Sequence, residues 1–117
     1  MILIGNDIVE VEKIKKLISK YGVKFLNKIF TKEEQEFCKQ RMDSSIHFSG
    51  RFAAKEAVKK VLLQINNSQI PLKEIEIKRK INFPPHVYVR NIFKKEIIIS
   101  ISHTKKYATA VAILDRR

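Results

Sequence analysis

The sequence predicts an α+β fold, with N-terminal helices packed on a mainly antiparallel sheet. In the first 65 residues, apolar side chains recur at three- and four-residue intervals, as on the buried face of a helix. After residue 74 they alternate with polar ones, as in half-buried strands. Helices followed by strands are typical of α+β proteins. Because 117 residues is an ordinary domain length, we expect residues 1–117 to form a single domain.

The first predicted elements are a short strand and two helical segments. Residues 2–4 form an apolar run that Gly5 closes, so we expect a buried strand followed by a turn. A helix then begins near Asp7, whose carboxylate would be an ordinary helix N-cap if nothing else used it. Gly22 interrupts the helical pattern, and residues 23–29 continue it for a further turn or two.

Two further helices precede the strands. Thr31 and Glu34 have the spacing of a capping box, which predicts a helix over residues 32–41. The longest helix is predicted over residues 46–65. Pro84-Pro85 separates two of the alternating runs, because proline cannot donate a hydrogen bond within a sheet. The predicted strands cover residues 75–77, 87–89, 96–101 and 107–114.

The chain is strongly basic along its whole length. Its formal net charge is +12 and its isoelectric point is about 10.0. Residues 1–60 hold 13 basic and 8 acidic residues, and residues 61–117 hold 11 and 4. Such an even excess favours an anionic partner, which is a nucleic acid, a membrane surface, a phosphorylated ligand or an acidic protein.

Three features bear on the compartment. Cys38 is the only cysteine, so no internal disulfide forms and a reducing environment is expected. The first residues lack the basic leader of a secretory signal. No segment reaches the ~20 apolar residues that a membrane span requires. We therefore expect a soluble cytoplasmic protein with no membrane partner.

The stretch from Arg51 to Lys60, Arg-Phe-Ala-Ala-Lys-Glu-Ala-Val-Lys-Lys, places one carboxylate among four cations. On a helix, Phe52, Glu56 and Lys60 are one turn apart and share a face. Such a carboxylate suits a place where a divalent metal and a phosphate meet, because its oxygens bind the metal and the amines neutralise the phosphate. Taken alone, the stretch is also compatible with a solvated, ion-paired helix face.

Two more polar positions stand out, Asp7 near the start of the chain and His103 before the last predicted strand. The chain holds Gly-Asn-Asp at 5–7, Lys-Glu-Ala-Val-Lys-Lys at 55–60 and Ser-His-Thr at 102–104, in that order. Alone, His103 would be ordinary turn polarity. With this order, and with Phe-Thr-Lys-Glu-Glu at 30–34, the chain resembles the holo-[acyl-carrier-protein] synthase family over essentially its whole length. That family is the small bacterial type of 4′-phosphopantetheinyl transferase.

The resemblance implies transfer of the 4′-phosphopantetheine arm of coenzyme A to a serine of apo acyl carrier protein, in support of fatty acid biosynthesis. The by-product is adenosine 3′,5′-bisphosphate. It also implies that Asp7 and Glu56 bind Mg²⁺, with Mn²⁺ as an alternative. Mg²⁺ prefers six oxygen ligands and keeps several waters, so two carboxylates, pyrophosphate oxygens and water would complete its coordination. The serine proton would go either to Glu56 or to a water held by the metal.

The same resemblance assigns other polar side chains to the phosphates. Lys60 closes the Lys-Glu-Ala-x-x-Lys motif and would steady the leaving group or help to relay the serine proton. Arg51 and Lys55 would contact phosphate, with solvated helix charge as the alternative. His103 and Thr104 would bind coenzyme A near its phosphates.

A basic helix face is expected to bind the carrier protein, because the acyl carrier proteins are strongly acidic. The face consists of Lys13, Lys16, Lys20 and Lys24. Its charge would raise the association rate and fix the orientation of the partner, with a generically solvated face as the alternative. Leu17 would be either an apolar anchor among these lysines or a core residue. The resemblance further implies a homotrimer with sites between subunits.

The chain departs from the family pattern in one place. Where the family usually has a Gly-Lys/Arg-Pro turn before a strand, this chain has Phe83-Pro84-Pro85-His86. The contact that the turn makes elsewhere is therefore not expected, and His86 is either its substitute or an ordinary strand-start residue. The departure is the support for one rival, an inactive homologue that keeps the fold and the docking helix. Asp7, Glu56 and Lys60 argue against it.

A nucleic-acid-binding module is the rival from another class, because proteins of this charge often bind nucleic acids. However, the basic helix has no recognition motif, and the strands carry no paired exposed aromatic residues of the RRM kind. Asp7 and Glu56 would also repel a phosphate backbone unless a cation intervened. We therefore expect no nucleic-acid partner.

Overall fold

The computed structural model describes residues 1–66, 69–80 and 82–116, and it confirms the α+β fold class. Within these residues the helices are α1 (Val11–Tyr21), α2 (Val23–Ile29), α3 (Lys32–Lys39) and α4 (Ser44–Asn66). The strands are β1 (Ile2–Glu10), β2 (Ile75–Lys78), β3 (His86–Val89), β4 (Ile92–Phe93), β5 (Ile97–His103) and β6 (Tyr107–Asp115). None of the helices described is long and apolar enough to cross a lipid bilayer.

Helix α4 packs across the larger of two antiparallel sheets. That sheet has the strand order β1-β6-β5, and the smaller one has the order β2-β3-β4. Small residues allow a close approach: a Cβ on Gly5 of β1 would lie 2.2 Å from the carbonyl oxygen of Ala57. The residues of β6 that face α4, among them Ala108, Ala110 and Ala112, are buried. This contact brings the polar residues of β1 and α4 together.

Two sequence predictions for the N-terminal segment are wrong. Strand β1 does not end at residue 4 but continues to Glu10, and it pairs along its whole length with β6. Gly5 is therefore a strand residue that admits α4, rather than a turn. Asp7 lies within the strand, opposite Ala110, so it is not a helix N-cap. This segment stays extended because it pairs with β6, a strand more than 90 residues later in the chain. No local sequence pattern reveals that pairing.

Most other boundaries lie within two residues of their predicted places. Gly22 has a φ of 56° and separates α1 from α2. The capping box at α3 is confirmed, because the Glu34 amide donates to the Thr31 hydroxyl at 3.2 Å and the Thr31 amide donates to Glu34 Oε1 at 2.9 Å. The two-residue strand β4 was not predicted, since two residues are too few to show an alternating pattern.

The larger sheet has one covered face and one open face. The covered face packs on α4, and the residues of β6 alternate between buried and more exposed positions accordingly. On the open face, β1, β5 and β6 expose six aliphatic side chains by 36–64%: Ile2, Ile4, Ile8, Ile98, Val111 and Ile113.

Candidate active site

The polar residues of β1 and α4 meet where these two elements are in contact. Asp7 lies two residues after Gly5 on β1, so both are on the face of the strand that packs on α4. The Asp7 side chain is 18% exposed. The Lys60 ammonium reaches it from α4, with Nζ 3.2 Å from Asp7 Oδ1, and donates to the Asn6 carbonyl oxygen at 2.8 Å. Glu56 is half-buried and lies one turn before Lys60 on the same side of the helix. Asp7 thus meets Lys60, which lies 53 residues later in the chain, and the three residues define the carboxylate cluster.

The side chains of this cluster fit a magnesium ion by their chemistry. Asp7 and Glu56 supply hard carboxylate oxygens, which Mg²⁺ prefers over nitrogen or sulfur. Among the described residues, no group of three or more His, Cys, Asp and Glu side chains is arranged to hold a metal. Two carboxylates are nevertheless an ordinary protein share for Mg²⁺, because the ion usually keeps waters and binds substrate phosphates.

Lys55 lies in the core rather than at this cluster. Its side chain is fully buried, with Nζ 2.5 Å from Glu34 Oε1, and it donates to the Ile29 carbonyl oxygen at 2.6 Å. Neighbouring residues on a helix point about 100° apart, which is why Lys55 and Glu56 face different surroundings. Because the Lys55 ammonium is enclosed and already paired, it does not reach a surface phosphate, contrary to the sequence prediction.

The Lys55–Glu34 pair joins several elements around α4. Glu34 Oε2 accepts a hydrogen bond from the Ile77 amide of β2 at 2.8 Å, and the Thr31 hydroxyl donates to Glu76 Oε2 at 2.6 Å. Burial raises the pKa of Glu34 and lowers the pKa of Lys55, and the attraction between the two opposes both shifts. The capping-box motif was visible in the sequence, but this second role of Glu34 was not.

Arg51 is placed at the edge of the core, next to an aromatic ring. It is 4% exposed, and its guanidinium carbon lies 4.1 Å from the centre of the Phe37 ring. Arg41 lies over the same ring at 4.2 Å. Arg51 Nε is buried and has no hydrogen-bond partner among the described residues. Burial lowers the pKa of Arg51. The sequence did not predict that Phe37 and Arg41 lie beside Arg51.

His103 and Thr104 lie at the end of β5 and in the turn that follows. The His103 ring is exposed, and its centre is 5.9 Å from that of His47 on α4. Burial, and then the charge of His103, lowers the pKa of His47. The Thr104 hydroxyl accepts hydrogen bonds from the amides of Lys106 and Tyr107 at 3.2 and 3.1 Å. Thr104 therefore shapes the turn that presents His103.

The four lysines of the predicted docking face are exposed. Lys13, Lys16 and Lys20 follow one stripe of α1, at three- and four-residue spacing. Lys24 lies on α2, beyond the break at Gly22. Leu17 is half-buried and packs on the apolar cluster between the helices, so its position fits the core role.

Among the described residues of the altered turn before β3, none forms a hydrogen bond, ion pair or ring contact with the carboxylate cluster. Asn82 has a φ of 67°, a conformation that asparagine tolerates better than most residues other than glycine. The Phe83 amide donates to the Lys80 carbonyl oxygen at 3.1 Å. His86 begins β3, and its ring centre lies 5.0 Å from that of Phe93, which supports the strand-start interpretation.

Comparison with known proteins shows the family to which the chain belongs. Residues 3–112 match the 4′-phosphopantetheinyl transferase superfamily, and the chain belongs to that superfamily. Among its relatives are holo-[acyl-carrier-protein] synthases. The enzyme of that name from Protochlamydia amoebophila is 44% identical over 115 residues, which cover 94% of each chain.

Solved structures of this family have the same fold. A complex of the synthase from Chronobacterium ammoniagenes with coenzyme A has a TM-score of 0.83 at 25% identity and covers 100% of this chain and 98% of that one. The Helicobacter pylori enzyme in complex with coenzyme A has a TM-score of 0.79 at 28% identity, with 97% and 100% covered. The predicted phosphopantetheinyl-transferase-like fold and the family resemblance are thereby confirmed.

Proposed function

We propose that this protein transfers the 4′-phosphopantetheine group of coenzyme A to a serine of apo acyl carrier protein and so supports fatty acid biosynthesis. Residues 1–117 act as one transferase domain. The main support is the cluster of Asp7, Glu56 and Lys60 between β1 and α4 in a member of this superfamily. Relatives named holo-[acyl-carrier-protein] synthase, two of them solved with coenzyme A, point to the same substrates.

In the proposed reaction the serine oxygen attacks the β-phosphorus of coenzyme A. The bond from that phosphorus to the bridging oxygen breaks, and adenosine 3′,5′-bisphosphate leaves. Asp7 and Glu56 would hold Mg²⁺, or Mn²⁺ in its place, and the ion when bound would supply positive charge at the pyrophosphate oxygens. Lys60, 3.2 Å from Asp7, neutralises negative charge that develops on the leaving phosphate. The serine proton goes to Glu56 or to a water at the metal site.

Three further side chains are proposed to bind coenzyme A, namely Arg51, His103 and Thr104. Arg51 has an unpaired Nε at the edge of the core, and His103 is exposed beside His47. Lys55 is not part of this group, because its ammonium is paired within the core.

The acidic carrier protein is proposed to dock on the lysine face of α1 and α2. Lys13, Lys16 and Lys20 are exposed on one stripe, and they can meet acidic side chains without rearrangement of the core. A free thiol at Cys38 fits a reducing cytoplasm as the location.

The open face of the larger sheet supports assembly as a homotrimer. Six exposed aliphatic side chains on one face form an apolar surface of the kind that usually marks an interaction site. In the proposed trimer the active sites lie between subunits, as the resemblance to the family implies. Light scattering should give a mass of about 41 kDa, three times the chain mass of 13.7 kDa. A mass of one chain would contradict the assembly.

Intact-mass spectrometry of a bacterial apo acyl carrier protein, incubated with this protein, coenzyme A and Mg²⁺, tests the activity. We expect the carrier to gain one phosphopantetheine mass, and EDTA to prevent the gain. Glu56→Gln should abolish transfer while circular dichroism shows a folded protein. Glu36→Gln, which removes an exposed carboxylate from α3, is the matched control and should retain transfer.

Two results would contradict the proposal. Normal turnover by Glu56→Gln would remove this residue from the site. Failure to modify several carriers, while coenzyme A still binds, would favour the inactive homologue.

A further inference from the structure

Side chains of α4 hold the outer edge of β1. In the described sheet, β1 lies at one end of the strand order β1-β6-β5, so every second backbone carbonyl group of β1 points away from β6. Two of these groups accept hydrogen bonds from α4. Gln64 Nε2 donates to the Ile4 carbonyl oxygen at 3.0 Å, and Lys60 Nζ donates to the Asn6 carbonyl oxygen at 2.8 Å. Side chains thus make the bonds that a neighbouring strand would otherwise make.

The matched spacing of helix and strand explains why these contacts repeat. Residues four apart on a helix are separated by about 6 Å along its axis, and residues two apart on a strand by about 6.7 Å. The two bonds show that α4 and β1 run in opposite directions. Lys60 is level with Asn6, and the same spacing, extended by one turn, brings Glu56 level with Ile8. Asp7 therefore lies between the levels of Lys60 and Glu56.

Gln64 joins the backbones of the two elements. Its Nε2 donates to the Ile4 carbonyl oxygen of β1 and also to the Lys60 carbonyl oxygen of α4, the latter at 3.1 Å. Next to Ile4, the strand backbone at Gly5 lies so close to Ala57 of α4 that a Cβ would not fit. The hydrogen bonds draw the strand towards the helix, and this contact limits how close it comes. Together they fix the separation of β1 and α4.

That separation matters because the two carboxylates of the proposed metal site come from different elements. Asp7 belongs to β1 and Glu56 to α4, so one ion can bind both only while strand and helix keep their distance. Mg²⁺ demands nearly ideal octahedral geometry, and a small displacement of β1 therefore weakens its binding. Gln64 lies eight residues after Glu56, about 12 Å along the helix axis, so it acts through β1 and not as a ligand.

We propose that Gln64 is a positioning residue that, together with Lys60, fixes β1 against α4 and thereby sets the separation of the Asp7 and Glu56 carboxylates. The inference rests on the proposed function, which assigns these carboxylates to the metal. Pairing with β6 along nine residues keeps β1 in the sheet without Gln64. Loss of the Gln64 hydrogen bonds therefore displaces the strand locally and leaves the protein folded.

Gln64→Met tests the proposal, because methionine keeps the length and helix propensity of glutamine but has no N–H group to donate. The protein is titrated with Mn²⁺ alone, and electron paramagnetic resonance measures the free ion. Binding should be about fivefold weaker, as expected for one lost hydrogen bond. Hydrogen exchange should accelerate in the peptide that contains Asp7 and not in α3. Because Gln64 is exposed, the thermal unfolding midpoint should stay within about 4 °C of the wild-type value.

Carrier modification gives a separate reading. At limiting Mg²⁺ the transfer rate of Gln64→Met should fall about fivefold, and excess Mg²⁺ should restore it, which would not happen if the residue were merely structural. The KM for carrier protein should not change. Gln69→Met makes the same substitution at an exposed position between α4 and β2 and should alter neither reading. In the Asp7→Asn background, Gln64→Met should cause no further loss of Mn²⁺ binding.

Each alternative result has a definite meaning. Unchanged Mn²⁺ affinity in Gln64→Met would overturn the positioning role, even if the wild-type protein modifies the carrier, as would a wild-type protein that binds no Mn²⁺. A further loss of Mn²⁺ binding in Asp7→Asn/Gln64→Met would also overturn it, because Gln64 would then act by a route other than Asp7. Weaker Mn²⁺ binding in Gln64→Met, combined with no carrier modification by the wild-type protein, would support the positioning role and refute the transferase function.

Discussion

Two lysines of α4, five residues apart, differ in what their ammonium groups contact. Lys55 is fully buried and paired with Glu34, whereas Lys60 is half exposed and pairs with Asp7. The first pair lies among the elements that α4 holds together, and the second borders the carboxylate cluster. One sequence motif thus supplies a structural cation on one side of the helix and a cation available to ligands on another.

The difference follows from the cost of removing charges from water. Two buried charges lose their hydration, and the loss is recovered only with good geometry and further hydrogen bonds, which the Ile29 carbonyl and the Ile77 amide provide here. An exposed pair has little hydration to lose and gains little stability. We therefore expect substitutions at Lys55 to affect mainly stability and substitutions at Lys60 to affect mainly transfer.

The largest expected effect is on folding. Lys55→Met keeps the length and apolar character of the side chain but leaves the Glu34 carboxylate buried without its partner. The free energy of unfolding at pH 8 should fall by about 3–5 kcal/mol, as it does when one member of a buried pair is removed. Urea denaturation measures it. Lys59→Met, at the half-buried position next to Lys60, is the control and should change it by less than about 1 kcal/mol.

The pH dependence of the same variant gives a second test. Burial raises the pKa of Glu34, and the Lys55 ammonium opposes that shift; without the ammonium the folded-state pKa rises further. A group whose pKa is raised in the folded state contributes its full stabilisation when the pH is below its pKa in the unfolded state, which is 4.5 for Glu34. It loses that contribution as the pH rises through the folded-state pKa. Lys55→Met should therefore be less destabilised at pH 5 than at pH 8. Lys55→Met/Glu34→Gln should abolish this dependence; its persistence would show that another group titrates.

The next effect is on transfer. Lys60→Met removes the ammonium beside Asp7, so negative charge on the leaving phosphate is no longer neutralised. The rate at saturating substrates should fall about 100-fold, while the free energy of unfolding changes by less than about 1 kcal/mol. Initial rates of carrier modification and urea denaturation provide the two readings. A large loss of stability with normal transfer would reverse the contrast between Lys55 and Lys60.

The smallest effect concerns the docking lysines, which also lie on the solvent side. Lys13→Glu/Lys20→Glu should raise the KM for carrier protein about tenfold, because electrostatic steering is reversed, and should leave the KM for coenzyme A within about twofold. Added salt should reduce the difference. Lys73→Glu/Lys95→Glu makes the same change of charge elsewhere. Equal effects on both KM values would place the docking face on another surface.

The sequence predicted the local elements well and the surroundings of individual side chains poorly. The capping box at Thr31, the break at Gly22 and the long helix around Glu56 depend on neighbouring residues, so they were visible in the sequence. The extent of β1 was not, because it depends on pairing with β6. For the same reason, Asp7 was open to interpretation as a helix cap until its strand partner was known.

The sequence by itself therefore determined the α+β class, the order of the elements and the family, since periodicity and motif spacing carry that information. The tertiary structure decided which cations are available to a ligand. Lys55 and Lys60 belong to one motif, yet only the packing of α3 and β1 around α4 separates a paired core lysine from one at the surface. Arg41 and Arg51 meet only over the Phe37 ring, because contact, burial and charge depend on distances in space rather than along the chain.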